Sequence, residues 1–314
     1  MPVGVNAYSF NTGYNAYQLM DMAVRHGLKG AEFPPDDCLP DLKPDTLKKA
    51  RDYAQERGLF LVADGGQVEP ELFKRLIPAA QALGAPTLRC VLSGILGGDR
   101  RPMAGRWEAH LKHCLIVLRE AIPIAEAHGV TIAVENHSDA TSHDLLWLFQ
   151  ELNSDHIGLN LDVGNVLAVC EEPFGYTNRL APYLRNIHLK DYNLFPSDEG
   201  YRMGRCALGK GVVDFPGLLA LIDQHQPGLT KTIELGAFYA RHVRLLADDY
   251  WAEFPERPVT EMLPLLRLYL ENARPRGEDW RTPKEKDESF EALLAYETKE
   301  FDDSVAYLKE IGAA

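Results

Sequence analysis

The sequence predicts an α/β protein, a (β/α)8 TIM barrel with a long helical insertion after the eighth strand, and three observations carry that prediction. Eight short apolar runs alternate with segments of helical period along the 314-residue chain. The runs begin 27 to 46 residues apart, close to the ~31 per unit expected of eight units in about 250 residues. They are near-continuously apolar rather than alternately polar, as parallel strands covered on both faces must be.

In order, the first strand is VGVNAYSF from Val3, and AYQLMDMAVRHG is the helix behind it. GAEFP from Gly30 is the second, and LKKARDYAQERG carries the chain to the third, LFLVADGG from Leu59. FKRLIPAAQALG leads to TLRCVLS from Thr87, and LIVLREAIPIAEAHG to VTIAVENH from Val130. IGLNLDVGN from Ile157, RNIHLKD from Arg185 and KTIELGAF from Lys231 complete the set. Most helical segments end on a Gly, the residue that tolerates the left-handed turn after a helix. The two longest spacings, ahead of Val130 and Lys231, read as elaborated units. An open doubly wound sheet is the alternative, but the GxGxxG fingerprint such sheets carry after their first strand is missing.

Residues 1–314 read as one domain, since barrels of this class use about 250 residues as a single unit. From about 238 to 288 the pattern changes to an aromatic and charged stretch, the helical PVTEMLPLLRLYLENA, and the polar RPRGEDWRTPKEKDE. This is the insertion. A closing helix over about 295–312 follows, with Phe301, Val305, Leu308 and Ile311 at helical spacing. An insertion at that point emerges at the C-terminal ends of the strands, where barrel sites lie. It can cap a site, form a subunit contact, or only pack on the wall.

Composition narrows the partners. A net charge of -13 argues against nucleic acid, whose binding rests on Lys and Arg neutralising phosphates, so a small-molecule substrate is expected. No apolar run nears the ~18–20 residues of a membrane span, and the N-terminus MPVGVNAYSF lacks a signal-peptide layout. A soluble, cytoplasmic protein and a homo-oligomer are expected. Cys38, Cys90, Cys114, Cys170 and Cys206 are scattered and form no CxxC pair, which points away from a disulfide framework and a thiolate zinc site.

Four runs lead into hard-metal ligands: Glu135 in VTIAVENH, Asp162 in IGLNLDVGN, His188 in RNIHLKD and Glu234 in KTIELGAF. On neighbouring strand ends, three carboxylates and an imidazole suit one divalent ion, Mn²⁺ by preference, with Mg, Co or Zn as alternatives. Such an ion holds a sugar hydroxyl and the adjacent carbonyl, acidifies the C–H between them and stabilises an enediolate. Glu135 and Glu234, if they face each other, supply two bases on opposite faces of that carbon, which permits epimerisation. One base on one face permits an aldose–ketose shift.

GLKGAEFP, VTIAVENHSD, IGLNLDVGN, RNIHLKDYN, ALGKGVVDFPGLLALID and TIELG together resemble the xylose-isomerase-like barrel superfamily. The resemblance spans roughly residues 3 to 238 and the final helix. It implies a sugar isomerase or epimerase in which Glu135, Asp162, His188 and Glu234 hold the metal and Glu135 and Glu234 are the acid/base pair. Departures shape the expectation. The superfamily's repair endonucleases carry DxxH where this chain has Asp162-Val163-Gly164-Asn165. Its ketose 3-epimerases usually have that His too, and a second Glu where this chain has Thr141. VENHSD and HLKD are more similar to the inosose-dehydratase-like branch, so a dehydratase or keto-glycoside lyase acting on a keto-cyclitol or sugar is the alternative. A non-catalytic, partner-dependent barrel subunit is the other.

Four further residues are expected at the substrate. His137, two past Glu135, is a third acid/base group or a strand-end imidazole bonded to a loop carbonyl. Lys190 meets a substrate oxygen or phosphate, or pairs with Asp191 at the surface. Asp191 orients His188 as an outer acceptor, and Asn165 follows Asp162 into the site. Glu32 bonds substrate hydroxyls or, on the favoured reading, a neighbouring strand's Lys or Arg. Arg202 and Arg205, taken as loop residues after the seventh strand, either grip a phosphate or are solvated.

Overall fold

The computed structural model describes residues 2–11 and 13–314. Strand β1 (Val3–Asn6) precedes helix α1 (Ala16–His26), β2 (Gly30–Phe33) precedes α2 (Pro35–Cys38) and α3 (Pro44–Glu56), and β3 (Phe60–Gln67) precedes α4 (Pro70–Leu83). Then come β4 (Thr87–Val91) and α5 (Trp107–His128), β5 (Thr131–Glu135) and α6 (Ser142–Leu152), and β6 (Ile157–Asp162) and α7 (Pro173–Leu180). After β7 (Leu184–Leu189) the chain forms β8 (Asp191–Ser197) and β9 (Gly200–Cys206) before α8 (Phe215–His225). It ends with β10 (Lys231–Ile233), β11 (Arg241–Val243), α9 (Leu263–Asn272) and α10 (Phe290–Glu310).

Among the described residues, eight parallel strands close in the order β1-β10-β7-β6-β5-β4-β3-β2, and they are the eight the sequence predicts. Each strand is buried on nearly every residue because the barrel interior covers one face and the helices the other. Local chemistry sets the boundaries. Asn15 and Gln18 form a reciprocal cap at the start of α1, and Gly27 ends that helix at φ 76°, a conformation that costs a side-chain-bearing residue energy. Helix α10 takes the eighth outer place: Phe301 packs on Phe10 and His26, and Tyr307 on Phe215. It begins at Phe290, about a turn before the expected start, with Ser289 as its cap.

Two expectations about the connections need correction. The long spacing after the seventh strand is not a loop: β8 and β9 form an antiparallel hairpin, and β11 joins it to make a separate three-stranded sheet. Arg202 and Arg205 therefore lie on β9, not in a loop. The insertion is also less helical than expected. Pro264, which fits only the first turn of a helix, splits PVTEMLPLLRLYLENA into a short 3₁₀ turn and the ten-residue α9.

The insertion is fastened to the strand-end face. Arg100 is fully buried. Its guanidinium donates to the Asp139 and Glu253 carbonyls at 2.6 to 2.9 Å and lies 4.2 Å from the Trp107 and Phe254 ring centres. Tyr250 donates its hydroxyl to the Ala168 carbonyl at 2.6 Å. Gly98 lies against that carbonyl so closely that a Cβ would sit 2.0 Å from the oxygen, so only glycine fits. Among the described residues no helix is long and apolar enough to cross a membrane.

Candidate metal centre

Parallel strands in register bring residues far apart in sequence to one end of the barrel. Glu135 pairs with Asn160 across β5–β6, and Asp162 with His188 across β6–β7. Glu234 follows β10, beside β7. As a result, one ligand atom from each of Glu135, Asp162, His188 and Glu234 lies within 4.8 Å of the others, and all four residues are buried. Donors held about 2.1 Å from a common ion are ~3–4.2 Å apart, so the cluster needs only small adjustments to close on one.

Each member is held from behind. The His188 Nε2–H donates to Glu32 at 2.8 Å, and Nδ1 faces Glu135 at 3.5 Å without a hydrogen-bond partner. Glu32 also accepts from Thr232 at 2.6 Å and Asn186 at 3.2 Å. Neither expectation for Glu32 holds, since it fixes the imidazole rather than meeting substrate or a Lys or Arg. Asp162 Oδ1 accepts the Gly164 and Asn165 N–H groups at 3.0 and 2.9 Å. Its Oδ2 lies 3.0 Å from the Lys190 ammonium, but out of hydrogen-bonding alignment. Glu234 accepts the Gly236 N–H at 2.7 Å and pairs with Lys190. Glu135 is clamped by Arg89, which also bonds Asp64 at 2.9 Å, and accepts from Asn165 at 3.2 Å.

The connected charges do not balance. With His188 neutral, as metal binding requires, five buried carboxylates, Glu32, Asp64, Glu135, Asp162 and Glu234, face two cations, Arg89 and Lys190. That surplus of buried negative charge suits a bound divalent ion. The proton equilibria reflect it. Burial, reinforced by neighbouring carboxylates, raises Asp64 and Asp162 despite the cations beside them. Lys190 and His188 overcome burial at Glu234 and hold it well below the usual range. At His188 burial opposes the charge, but Glu32 and Glu135 prevail and lift it to about 9. The orphaned His188 Nδ1 and surplus charge fit a bound divalent ion.

A pH dependence follows. A metal ion needs neutral His188, whose proton in the metal-free protein comes off near 9, so ion and proton compete below that pH. Affinity for Mn²⁺ is expected to rise about tenfold per pH unit, or more steeply, between pH 6 and 8. Calorimetric titration at three pH values checks this; a flat profile would remove His188 from the ligand set.

The other expected residues divide. His137 lines a cavity of about 400 Å³ together with Glu234, Tyr8, Gln67, Arg89, Phe238 and Arg241. Burial lowers it to about 4, so it is neutral at pH 7, and its Nδ1 has no partner. Lys190 lies inside the ligand cluster and not in a surface pair with Asp191. Asp191 does not orient His188 or face a substrate: its carboxylate accepts the N–H groups of Tyr192, Gly209, Gly211 and Val213 at 2.9 to 3.1 Å. Asn165 bonds Glu135 and the Tyr192 hydroxyl and is buried behind the ligands. Arg205 pairs with Glu300 at 2.7 Å, and Arg202 stacks 4.4 Å from the Trp280 ring centre. Arg89 and Asp64 were missed, although ionisable residues inside the apolar runs TLRCV and FLVAD were a visible signal.

Comparison with known proteins agrees with this fold. A family model described as the xylose isomerase-like TIM barrel matches residues 20–249. The uncharacterized protein YihM of Escherichia coli (strain K12) is 23% identical over 299 residues, 88% of this chain and 86% of that protein. The 3-oxo-isoapionate decarboxylase of Pectobacterium atrosepticum is 24% identical over 196 residues, 62% of this chain and 67% of the enzyme. In fold, D-psicose 3-epimerase from Clostridium cellulolyticum H10, in a crystal structure with D-tagatose, superposes with a TM-score of 0.64 at 13% identity. That match covers 97% of this chain and 98% of the epimerase.

Proposed function

Because the chain belongs to the xylose isomerase-like TIM barrel family, we propose that it is a divalent-metal-dependent sugar isomerase or epimerase that abstracts a proton next to a carbonyl. The observation that carries this reading is the convergence of Glu135, Asp162, His188 and Glu234 within 4.8 Å, with a surplus of buried negative charge around them. The ion, Mn²⁺ by preference, would supply Lewis acidity that polarises a carbonyl and acidifies the adjacent C–H. Glu234 is the base, since it both belongs to the ligand set and opens on the cavity. His137, neutral and facing the same cavity, carries the proton between substrate oxygens. Glu135 is held by Arg89 and Asn165 and, unlike Glu234, does not line the cavity, which suits a fixed ligand better than a second base. Proton transfer on one face, and hence an aldose–ketose shift, is favoured over epimerisation.

A lyase is the second reading, favoured by the similarity to 3-oxo-isoapionate decarboxylase and by the same immobile Glu135. In both readings a carbanion forms next to a carbonyl: proton loss forms it in the isomerase and in a dehydrating lyase, after which a proton returns or a β-hydroxyl departs, whereas loss of CO2 forms it in a decarboxylating lyase, after which a proton adds.

The test joins metal content to proton exchange. Protein purified without chelator is expected to hold about one divalent ion per chain, with Asp162→Ala and His188→Ala each depleted. A ketose incubated in D2O should gain deuterium beside its carbonyl only with metal. Loss of water or CO2 would select the lyase, and metal content equal in wild type and variants would overturn the site.

A further inference from the structure

We propose that Arg241 is a specificity residue that receives a carboxylate, so that the substrate is a keto-hydroxy acid rather than a neutral ketose. The proposal rests on the metal-enzyme reading above and names the substrate class of that site.

Arg241 opens β11 and lines the same cavity as Glu234 and His137. Arginines close by on the same face are neutralised: Arg244 by Glu199 and Asp249, Arg257 by Glu171, Arg205 by Glu300. Arg89, the other guanidinium of the cavity, is held by Glu135 and Asp64. Arg241 is half-buried, yet among the described residues its guanidinium has neither an ion pair nor a hydrogen bond. A partly desolvated guanidinium without an anion is an unfavourable arrangement unless a ligand completes it. Its backbone is not free to swing away, because Arg241 pairs with Met203 of β9, and its Cβ packs 3.4 Å from the position of a Cβ on Gly97.

The shape of the anion follows from what else the wall offers. The Gln67 amide is a second donor on the cavity. Gly65 and Gly66 lie in extended β3 and form no helix terminus of the kind that cradles a phosphate. Arg202 and Arg205, the other basic candidates, point into the Trp280 stack and the Glu300 pair. One planar fork on a wall that also carries an amide matches a carboxylate, which takes two parallel N–H bonds. The volume of about 400 Å³ is of the size that holds a small ligand. A sugar acid would place its carbonyl end at Glu234 and its carboxylate at Arg241, which both line this cavity.

Binding of three ketoses that differ only at C6 tests this: D-fructose, D-fructuronate and D-fructose 6-phosphate. Calorimetry on Mn²⁺-loaded protein is expected to give D-fructuronate the tightest binding, at least about tenfold over D-fructose. Arg241→Met should erase that preference while leaving affinity for Mn²⁺ unchanged, and Arg241→Lys should recover part of it. No preference in wild type, including no binding of any of the three, or a preference that survives Arg241→Met, would overturn the proposal. Tightest binding of D-fructose 6-phosphate would overturn it as well. Failure to bind Mn²⁺ in a parallel titration would instead overturn the metal-enzyme reading, so the two failures are separable.

Discussion

Glu234→Gln is expected to lower turnover by about 10²–10⁴-fold, the range a positioned proton-transfer group supplies, while the fold persists. The amide oxygen keeps the bond from the Gly236 N–H, and Lys190 keeps Asp162 at 3.0 Å, so the substitution removes one negative charge and one base with little disturbance of the backbone. Metal affinity should fall as well, by at least the ~10–100-fold that even an outer-shell partner is worth. The two losses can be separated by assaying at saturating Mn²⁺. What remains there is the proton-transfer defect, read as deuterium incorporation beside the carbonyl of the substrate. Wild-type exchange rates in this variant at saturating metal would remove Glu234 from the chemistry and shift the base to His137, which shares the cavity.

The contrast between what the sequence made legible and what it hid has a physical cause. Strands and outer helices are local: Val3, Gly30 and Thr87 begin runs whose period shows within a few residues. The four metal-ligand candidates were legible because the closed barrel has a rule about where strands end. The support behind them was not, because it is long-range. Glu32 reaches His188 across 156 positions and Arg89 reaches Glu135 across 46, and no periodicity reports which acid a buried cation will choose. Residues one or two past a strand end are worse, because the chain is turning there: Asp191 begins a new strand and caps a loop, and Asn165 enters a 3₁₀ turn. The β8–β9 hairpin was readable. Tyr192 and Leu194, then Tyr201 and Met203, alternate around the turn residues Ser197-Asp198-Glu199-Gly200.

Arg89→Leu is the substitution with the largest expected cost to stability, about 3–5 kcal/mol, the usual loss when one partner of a buried ion pair is removed. The reason lies in what stays behind. Asp64 and Glu135 are both fully buried, and Arg89 is the cation that bridges them. Asp64 already has a raised pKa from burial and from Glu32, with Arg89 restraining the rise; without Arg89 the rise is greater. A carboxyl group whose folded pKa lies above its unfolded value holds its proton more tightly in the folded state. Stability is therefore lost as pH rises from the unfolded value near 4 through the folded one. The deficit of Arg89→Leu should thus be smaller at pH 5 than at pH 8. Saturating Mn²⁺ should narrow it, since Glu135 then regains a cationic neighbour and any ligand bound to the folded state adds stability. Urea denaturation at both pH values, with and without metal, measures all of this. A loss below about 1 kcal/mol at both would mean that Asp64 and Glu135 are neutralised by some other means. In that case the surplus charge that argues for a divalent ion would have to be recounted.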